Sequence, residues 1–273
     1  MNRNMKPVTL NEYLSAENPW TRRLLGFEPF SKERNREFVE QLYDQEIWGE
    51  RRRQYAEDPA KLKEVILNYE SDSRYVISIQ ESLFLTSGSS FQPYITALME
   101  STLRKFKASS KICELGCGFG RNLLLLGEND GHRHYYGGEL AASGVELANS
   151  LGLDVRKFDY YNPEDYEIIQ PSSSIMTVHS IEQIPDASAF IENLSKVKDR
   201  IDKVFHFEPV SNPCRTNFIG LIRDRYKEIN DYNRNLREIL TSRSDIRILS
   251  EEFDIYGLNP LNPTSVIVWE FAN

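Results

Sequence analysis

Cysteine is scarce in this chain: Cys113, Cys117 and Cys214 are the only three in 273 residues. An odd, sparse set reads as reduced thiols of an intracellular protein rather than a disulfide framework. Cys113 and Cys117 lie four apart with no nearby histidine, which argues against a zinc site. Long apolar runs are missing too, so nothing reaches the length needed to span a bilayer. The stretch from Met1 to Asn11 is polar and lacks the apolar core of a secretory signal, which makes the cytoplasm the expected address. Positive charge is in deficit, with 33 Lys and Arg against 41 Asp and Glu and a net charge of −8. That balance disfavours sequence-independent nucleic-acid binding, which draws its affinity from cations on phosphates. Arg51, Arg52 and Arg53 form one basic cluster among acids, readable as a solvated helix face or as a contact for an anionic partner. There is no internal repeat. The hydrophobic share of 40% and charged share of 27% are ordinary for a globular protein. The length allows one substantial core with an extension.

What is present is a glycine-rich turn, Lys111-Ile112-Cys113-Glu114-Leu115-Gly116-Cys117-Gly118-Phe119-Gly120-Arg121-Asn122. A short apolar run ends in an acid, three glycines follow at alternate positions, and Leu123 to Leu126 begin a helix. This is the entry to a nucleotide-binding βα unit. Glycines there give the backbone conformations closed to other residues and let a ligand approach without meeting a Cβ. A dinucleotide fingerprint places its third glycine at the position held here by Arg121, and Glu114 would sit beside a pyrophosphate and repel it. A ligand with a cationic end and no phosphate suits the same carboxylate. The E-x-G-x-G-x-G pattern resembles motif I of the class I S-adenosylmethionine (SAM)-dependent methyltransferases, and SAM carries both a sulfonium and an ammonium.

Residues 1–107 read as mostly helical, an extension or lid. Thr9 and Glu12 form a capping box, Pro19 opens a helix over 20–25, and a long charged helix runs over 31–55. A further helix over 59–69 carries Leu62, Val65, Ile66 and Tyr69 as its stripe. Over 73–85, Tyr75, Ile77 and Ile79 alternate like a strand, yet a helix is open as well. Ser87 to Ser90 signal a loop, and a helix over 91–106 leads into the glycine turn. From residue 108 on, strands at 111–115, 134–139, 154–158, 175–178, 203–208, 246–255 and 265–271 alternate with helices at 122–128, 141–151, 187–201 and 217–240. The expected fold is α/β: a seven-stranded, mostly parallel, doubly wound sheet with an N-terminal helical extension. The resemblance covers about residues 90–273. It implies a Rossmann-like SAM-binding catalytic domain over 108–273.

Ligands in such sheets bind beyond the carboxyl ends of the strands. Cofactor residues are therefore sought at Glu114, Gly116, Gly118 and Gly120, and at the ends of the next strands. The resemblance makes Glu139, about twenty residues past the turn, the acid for the ribose diol, with Leu140 beside the adenine. It assigns Asp159 to the adenine amino group, with Tyr160 available to the ring. It places the segment from His179 to Pro185 along the methionine side of the cofactor and the methyl group. His179 reads either as a general base at the cofactor mouth or as a histidine bonded to a neighbouring loop. Glu208 reads either as an acceptor for a cationic or hydroxylated substrate or as a carboxylate paired to backbone. His206 shares a strand face with Glu208, but no compact ligand motif supports a metal, and none is expected. Three serines, Ser172 to Ser174, stand where the family commonly has an acid at the start of this strand. The Asp/Asn-Pro-Pro-aromatic signature of amino-methyltransferases is absent, which counts against DNA-base methylation. Aligning a nucleophile with the sulfonium methyl supplies much of the catalysis by proximity, so a base is needed only where the nucleophile starts protonated.

The sequence thus points to SAM-dependent methylation of a small, metabolite-like or amino-acid-like molecule at N, O or C, by a monomer or homodimer. An NAD-dependent oxidoreductase, a non-catalytic SAM-binding module and an RNA or protein methyltransferase stand as alternatives.

Overall fold

The computed structural model describes residues 5–15, 18–68, 73–87 and 92–272. Its first third contains β1 (Lys6–Val8), α1 (Leu10–Tyr13), α2 (Pro19–Leu24), α3 (Arg36–Gln41), a π-helical turn (Leu42–Ile47), α4 (Trp48–Tyr55), α5 (Pro59–Leu67), β2 (Arg74–Ile79), β3 (Ser82–Ser87) and α6 (Gln92–Lys105). Then follow β4 (Lys111–Leu115), α7 (Arg121–Asn129), β5 (His134–Glu139), α8 (Ala142–Ser150), β6 (Asp154–Lys157), β7 (Ser173–Val178), α9 (Ser188–Lys196) and β8 (Ile201–Glu208). The chain ends with α10 (Phe218–Ile229), α11 (Leu236–Ser242), β9 (Ile246–Gly257) and β10 (Thr264–Phe271).

All ten described strands join one sheet, ordered β1-β3-β2-β9-β10-β8-β7-β4-β5-β6. Strands β8, β7, β4, β5 and β6 run parallel. Strand β10 is antiparallel to β8 and β9, and β9, β2, β3 and β1 continue antiparallel to the edge. The expectation of seven mostly parallel strands is therefore corrected: seven strands form the expected block, and three strands from the N-terminal third extend it. The alternation of Tyr75, Ile77 and Ile79 resolves as strand. Its apolar face packs Ile77 against Phe84 and Tyr256, and that burial is open only to a hairpin lying against β9. Tyr69 and the 88–90 loop signal lie outside the described residues.

Helices cover both faces of the parallel block. On β10, Ile267 and Trp269 enter one core with Tyr136, Phe158 and Phe190, while Val266 and Val268 enter the other with Met99, Leu123 and Phe205. The period of two on a doubly covered strand explains why these segments are apolar throughout.

Two helices differ from the sequence reading in ways that shape the site. The helix expected over 217–240 is broken. Asp231 turns left-handed at φ 51°, and the Asn233 side chain, which donates to the Ile184 carbonyl at 2.8 Å, accepts from the Leu236 amide to start α11. Asn233 also gives its backbone N–H to the Glu182 carbonyl, so the break braces the loop that follows β7. The helix expected over 31–55 widens into the π turn between α3 and α4. Gly49 makes this possible, because a Cβ there would collide with the Asp44 carbonyl oxygen. We expect Gly49→Ala to lower stability by about 1–3 kcal/mol through that overlap. Thermal unfolding would show it, and an unchanged midpoint would contradict the packing described.

Candidate functional site

Strand β4 lies between β5 and β7, so the chain leaves it in opposite directions and opens a crevice at the carboxyl ends. A cavity of about 330 Å³ occupies that crevice. Its floor is the glycine turn, in which Gly116, Gly118 and Gly120 all have positive φ. A Cβ on Gly118 would lie 2.8 Å from the Trp48 ring, and one on Gly116 would lie 2.6 Å from Ser180 Cβ. Gly120 does not line the cavity; it faces Leu153 and Ala148 behind the turn. It does the packing that the dinucleotide pattern assigns to its third glycine, one residue earlier in this chain.

Three acids expected to hold a cofactor line the cavity. Glu114 is 1% exposed; its Oε1 accepts from Asn122 Nδ2 at 2.7 Å, while its Oε2 is buried with no hydrogen-bond partner among the described residues. Burial pushes its carboxyl up to about 8, against the pull of the Asn122 hydrogen bond. Glu139 accepts from the Gly118 amide at 2.7 Å and the Ala141 amide at 2.9 Å, which ties the second strand end to the glycine turn. Burial raises it as well. Asp159 accepts from the Tyr161 amide at 2.9 Å and is ion-paired with Arg36 of α3. Leu140 and Tyr160 complete this end of the cavity. The Tyr160 hydroxyl donates to the Leu115 carbonyl at 2.6 Å and lies 2.8 Å from Ser180 Oγ, so that ring is fixed from both sides.

His179 lines the other end. It follows β7 with φ 49°, a left-handed conformation rare for a residue with a side chain. Its Nδ1 lies 3.1 Å from Glu182 and its Nε2 lies 2.7 Å from Thr264 Oγ1. Burial opposes a charge on the imidazole, but Glu182 and Glu208 outweigh it and the net shift is upward. Glu182 also accepts from Gln183 at 2.8 Å and from Asn262 at 2.8 Å, so its carboxylate is held by neutral donors around the one histidine.

Of the two readings of Glu208, the acceptor facing substrate is not what is found; the carboxylate is paired to backbone. It is 2% exposed, does not line the cavity, and accepts the amides of Ser180 and Ile181, both at 3.0 Å. It caps the loop that carries His179, and burial pushes it up to about 7. His206 is further off. Trp269 Nε1 donates to its Nε2 at 2.9 Å and Thr177 sits 2.8 Å from its Nδ1, while burial drives it down to about 3, a neutral core histidine. Among the described residues no cluster of three His, Cys, Asp or Glu is arranged to hold a metal.

The N-terminal third supplies one wall, which the sequence did not assign residue by residue. Tyr43 and Trp48 line the cavity, and burial raises the Tyr43 hydroxyl. The wall is pinned by the Arg36–Asp159 and Arg52–Glu146 pairs, by Lys157 to Glu40 at 2.6 Å, and by Asp44, which accepts the Ser143 amide at the start of α8 at 2.7 Å. The other aromatics of this region behave as core or surface. Trp20 packs edge-on against Tyr226 and Phe30, Tyr13 joins them, and Tyr75 is exposed. Of the basic cluster, Arg51 lies over the Phe119 ring and Arg52 pairs with Glu146. No described helix is long and apolar enough to cross a membrane.

No family model matches the sequence, and no curated protein is significantly similar to it. Solved structures do resemble the chain. Magnesium protoporphyrin IX methyltransferase (ChlM) from Synechocystis PCC 6803 with bound SAH is 11% identical, with a TM-score of 0.52 over 87% of this chain and 100% of that one. The mitomycin 7-O-methyltransferase MmcR is 14% identical, with a TM-score of 0.46 over 61% of this chain and 50% of its own. The pyocyanin biosynthetic protein PhzM is 14% identical, with a TM-score of 0.47 over 59% and 50%. The chain thus matches about half the length of MmcR and of PhzM.

Proposed function

We propose that this chain, whose fold is that of the class I SAM-dependent methyltransferases, binds SAM and methylates a small molecule. The observation that carries the reading is Glu114 Oε2, a buried carboxyl oxygen with no partner among the described residues, lining the cavity over a glycine turn. An orphaned buried acceptor costs free energy unless a ligand supplies a donor. A cationic group donates to it and favours its ionised form, whereas a pyrophosphate would be repelled by that form. The site residues then divide the work. Glu114 faces the ammonium and sulfonium end, while Gly116 and Gly118 let the ligand lie close to the backbone. Glu139 takes the ribose diol, and Leu140, Tyr160 and Asp159 take the adenine.

SAM supplies an already reactive methyl group, so this chain's residues mainly bind, orient and exclude water. With Nδ1–H given to Glu182, His179 Nε2 is left as an acceptor, satisfied here by Thr264. A substrate hydroxyl or ammonium taking the place of the Thr264 hydroxyl would hand its proton to that nitrogen. Glu208 acts at one remove, holding the loop that presents His179. The wall formed by α3, the π turn and α4 covers the cavity as a lid, which suits a small acceptor more than a macromolecule. A non-catalytic SAM-binding module is the second reading, favoured by one feature: both imidazole nitrogens and the Glu208 carboxylate are already engaged within the protein.

Calorimetry with SAM, S-adenosylhomocysteine and NAD tests the cofactor, and binding of NAD alone would sink the reading. Transfer of labelled methyl from SAM into a metabolite extract, compared with total RNA, tests the acceptor and separates enzyme from module. Asp159→Ala should weaken SAM binding about five- to tenfold, the worth of one hydrogen bond at a partly buried site where Arg36 already shares the carboxylate. Unchanged affinity on titration would remove the adenine from that strand end.

A further inference from the structure

The lid contains a second unanswered polar atom. Trp48 Nε1 is buried and has no hydrogen-bond partner among the described residues, although Trp48 lines the same cavity as Glu114. Its neighbours hold it closely. The missing Cβ of Gly118 would lie 2.8 Å from Cζ2 and 3.2 Å from Cε2, and that of Gly144 would lie 3.0 Å from Cδ1. Nε1 is bonded to Cε2 and Cδ1, so the N–H belongs to the part of the indole packed against Gly118 and Gly144. Glu139 lies beside the same glycines: its Cγ would be 2.9 Å from a Cβ on Gly144, and its carboxylate accepts the Gly118 amide. Either glycine, given a side chain, would expel the indole.

The placement has a local cause. Trp48 follows directly on the π turn, and the extra residue in that turn rotates what comes after it by about 100° relative to an uninterrupted α-helix. Gly49 permits the turn, and Asp44, within it, is fastened to the start of α8 through Ser143. A tilted ring contact with Phe119, centroids 5.1 Å apart and planes at 60°, also holds the ring. The turn therefore fixes where the ring points.

We propose that Trp48 is a cofactor-binding residue whose indole N–H donates to a ribose hydroxyl oxygen of the bound adenosyl ligand. This rests on the SAM reading of the cavity and extends it: the N-terminal segment completes the cofactor site, with Trp48 as donor above the diol and Glu139 as acceptor beside it. Glu114 and Trp48 are then the two halves of one unfinished hydrogen-bond set, an acceptor at the cationic end and a donor at the sugar.

The test uses two ligands and one substitution. S-Adenosylhomocysteine and 5′-methylthioadenosine share the ribose, and only the former has the amino-acid end. Trp48→Phe keeps a ring and deletes the N–H. It should weaken both ligands by a similar factor, about five- to tenfold by calorimetry. A loss confined to S-adenosylhomocysteine would move the contact to the amino-acid end and overturn the ribose assignment, and no loss for either would overturn the proposal. In case the variant folds poorly, the indole ¹H–¹⁵N resonance of Trp48 is followed in the wild-type chain. It should move downfield and exchange more slowly with either ligand, and an unmoved resonance at saturation would overturn the proposal. If the wild-type chain binds neither ligand, the SAM reading itself fails, a result distinct from wild-type binding that is indifferent to Trp48.

Discussion

Gly118→Val should abolish cofactor binding, with no heat in calorimetry at ligand concentrations that saturate the wild-type chain, a loss on the order of a hundredfold or more. Three effects act together at this position. The residue has φ 58°, which a β-branched side chain adopts only with strain. Its Cβ would meet the Trp48 ring at 2.8 Å and push the wall of the cavity. Its amide is the donor that aims Glu139, so displacement of the backbone misplaces the ribose acid as well. The strain of one left-handed residue is small beside a domain's usual stability, about 5–15 kcal/mol, so the variant should stay folded by circular dichroism. A folded variant that bound SAM within a few-fold of wild type would show that the ligand does not lie across this turn.

Glu114→Gln is the second substitution expected to have a large effect. It preserves shape and the contact with Asn122 but removes the charge that faces the ligand. Losing a charge-assisted contact in a buried site costs about 1.5–3 kcal/mol, roughly ten- to 150-fold in the dissociation constant of SAM. The pH dependence has a definite sign. In the empty protein Glu114 titrates near 8, above its ordinary 4.5, so at neutral pH the folded form holds a proton that the unfolded chain has released. Its contribution to stability is fully present below about 4.5 and is lost as pH rises through about 8. The melting temperature of the empty protein should fall across that window, with Glu208, raised to about 7, adding to the trend. A cationic ligand favours the ionised carboxylate, so SAM should bind more tightly as pH climbs toward 8, and Glu114→Gln should flatten that slope. A wild-type affinity that does not change with pH would mean that no cation reaches Glu114.

How much of this was legible in the sequence depended on whether the cause was local. Strand β4 and strand β5 match the expected 111–115 and 134–139 to the residue, because an apolar run bounded by serine or histidine on one side and glycine or an acid on the other leaves little freedom. Glu114 and Glu139 stand at those strand ends and Asp159 follows β6; strand-end position and the family resemblance singled them out, and all three line the cavity. The hairpin of β2 and β3 was ambiguous because its alternation is short and its partner, β9, lies about 180 residues away. Glu208 could not be placed, since nothing in its neighbourhood reveals that the amides of Ser180 and Ile181 converge on it. Trp48 was recognisable only as one of several aromatics, with Tyr13, Trp20, Tyr43, Tyr69 and Tyr75, in the expected lid. The π turn that aims it is a packing consequence of Gly49 beside Asp44, visible only when the helix is built.

The pairing of Ser78 with Gly257 and Ile79 with Tyr256 stitches the first third of the molecule to its last strands. During synthesis the early hairpin must therefore wait with one flank unpaired until β9, about 180 residues on, has emerged, a non-local contact that is intrinsically late to form. Glycine turn and parallel strands can assemble while that flank stands open. The wall bearing Trp48 fastens instead to α8, through Ser143 and Glu146, so the ligand chamber can close before the hairpin finds its last neighbour.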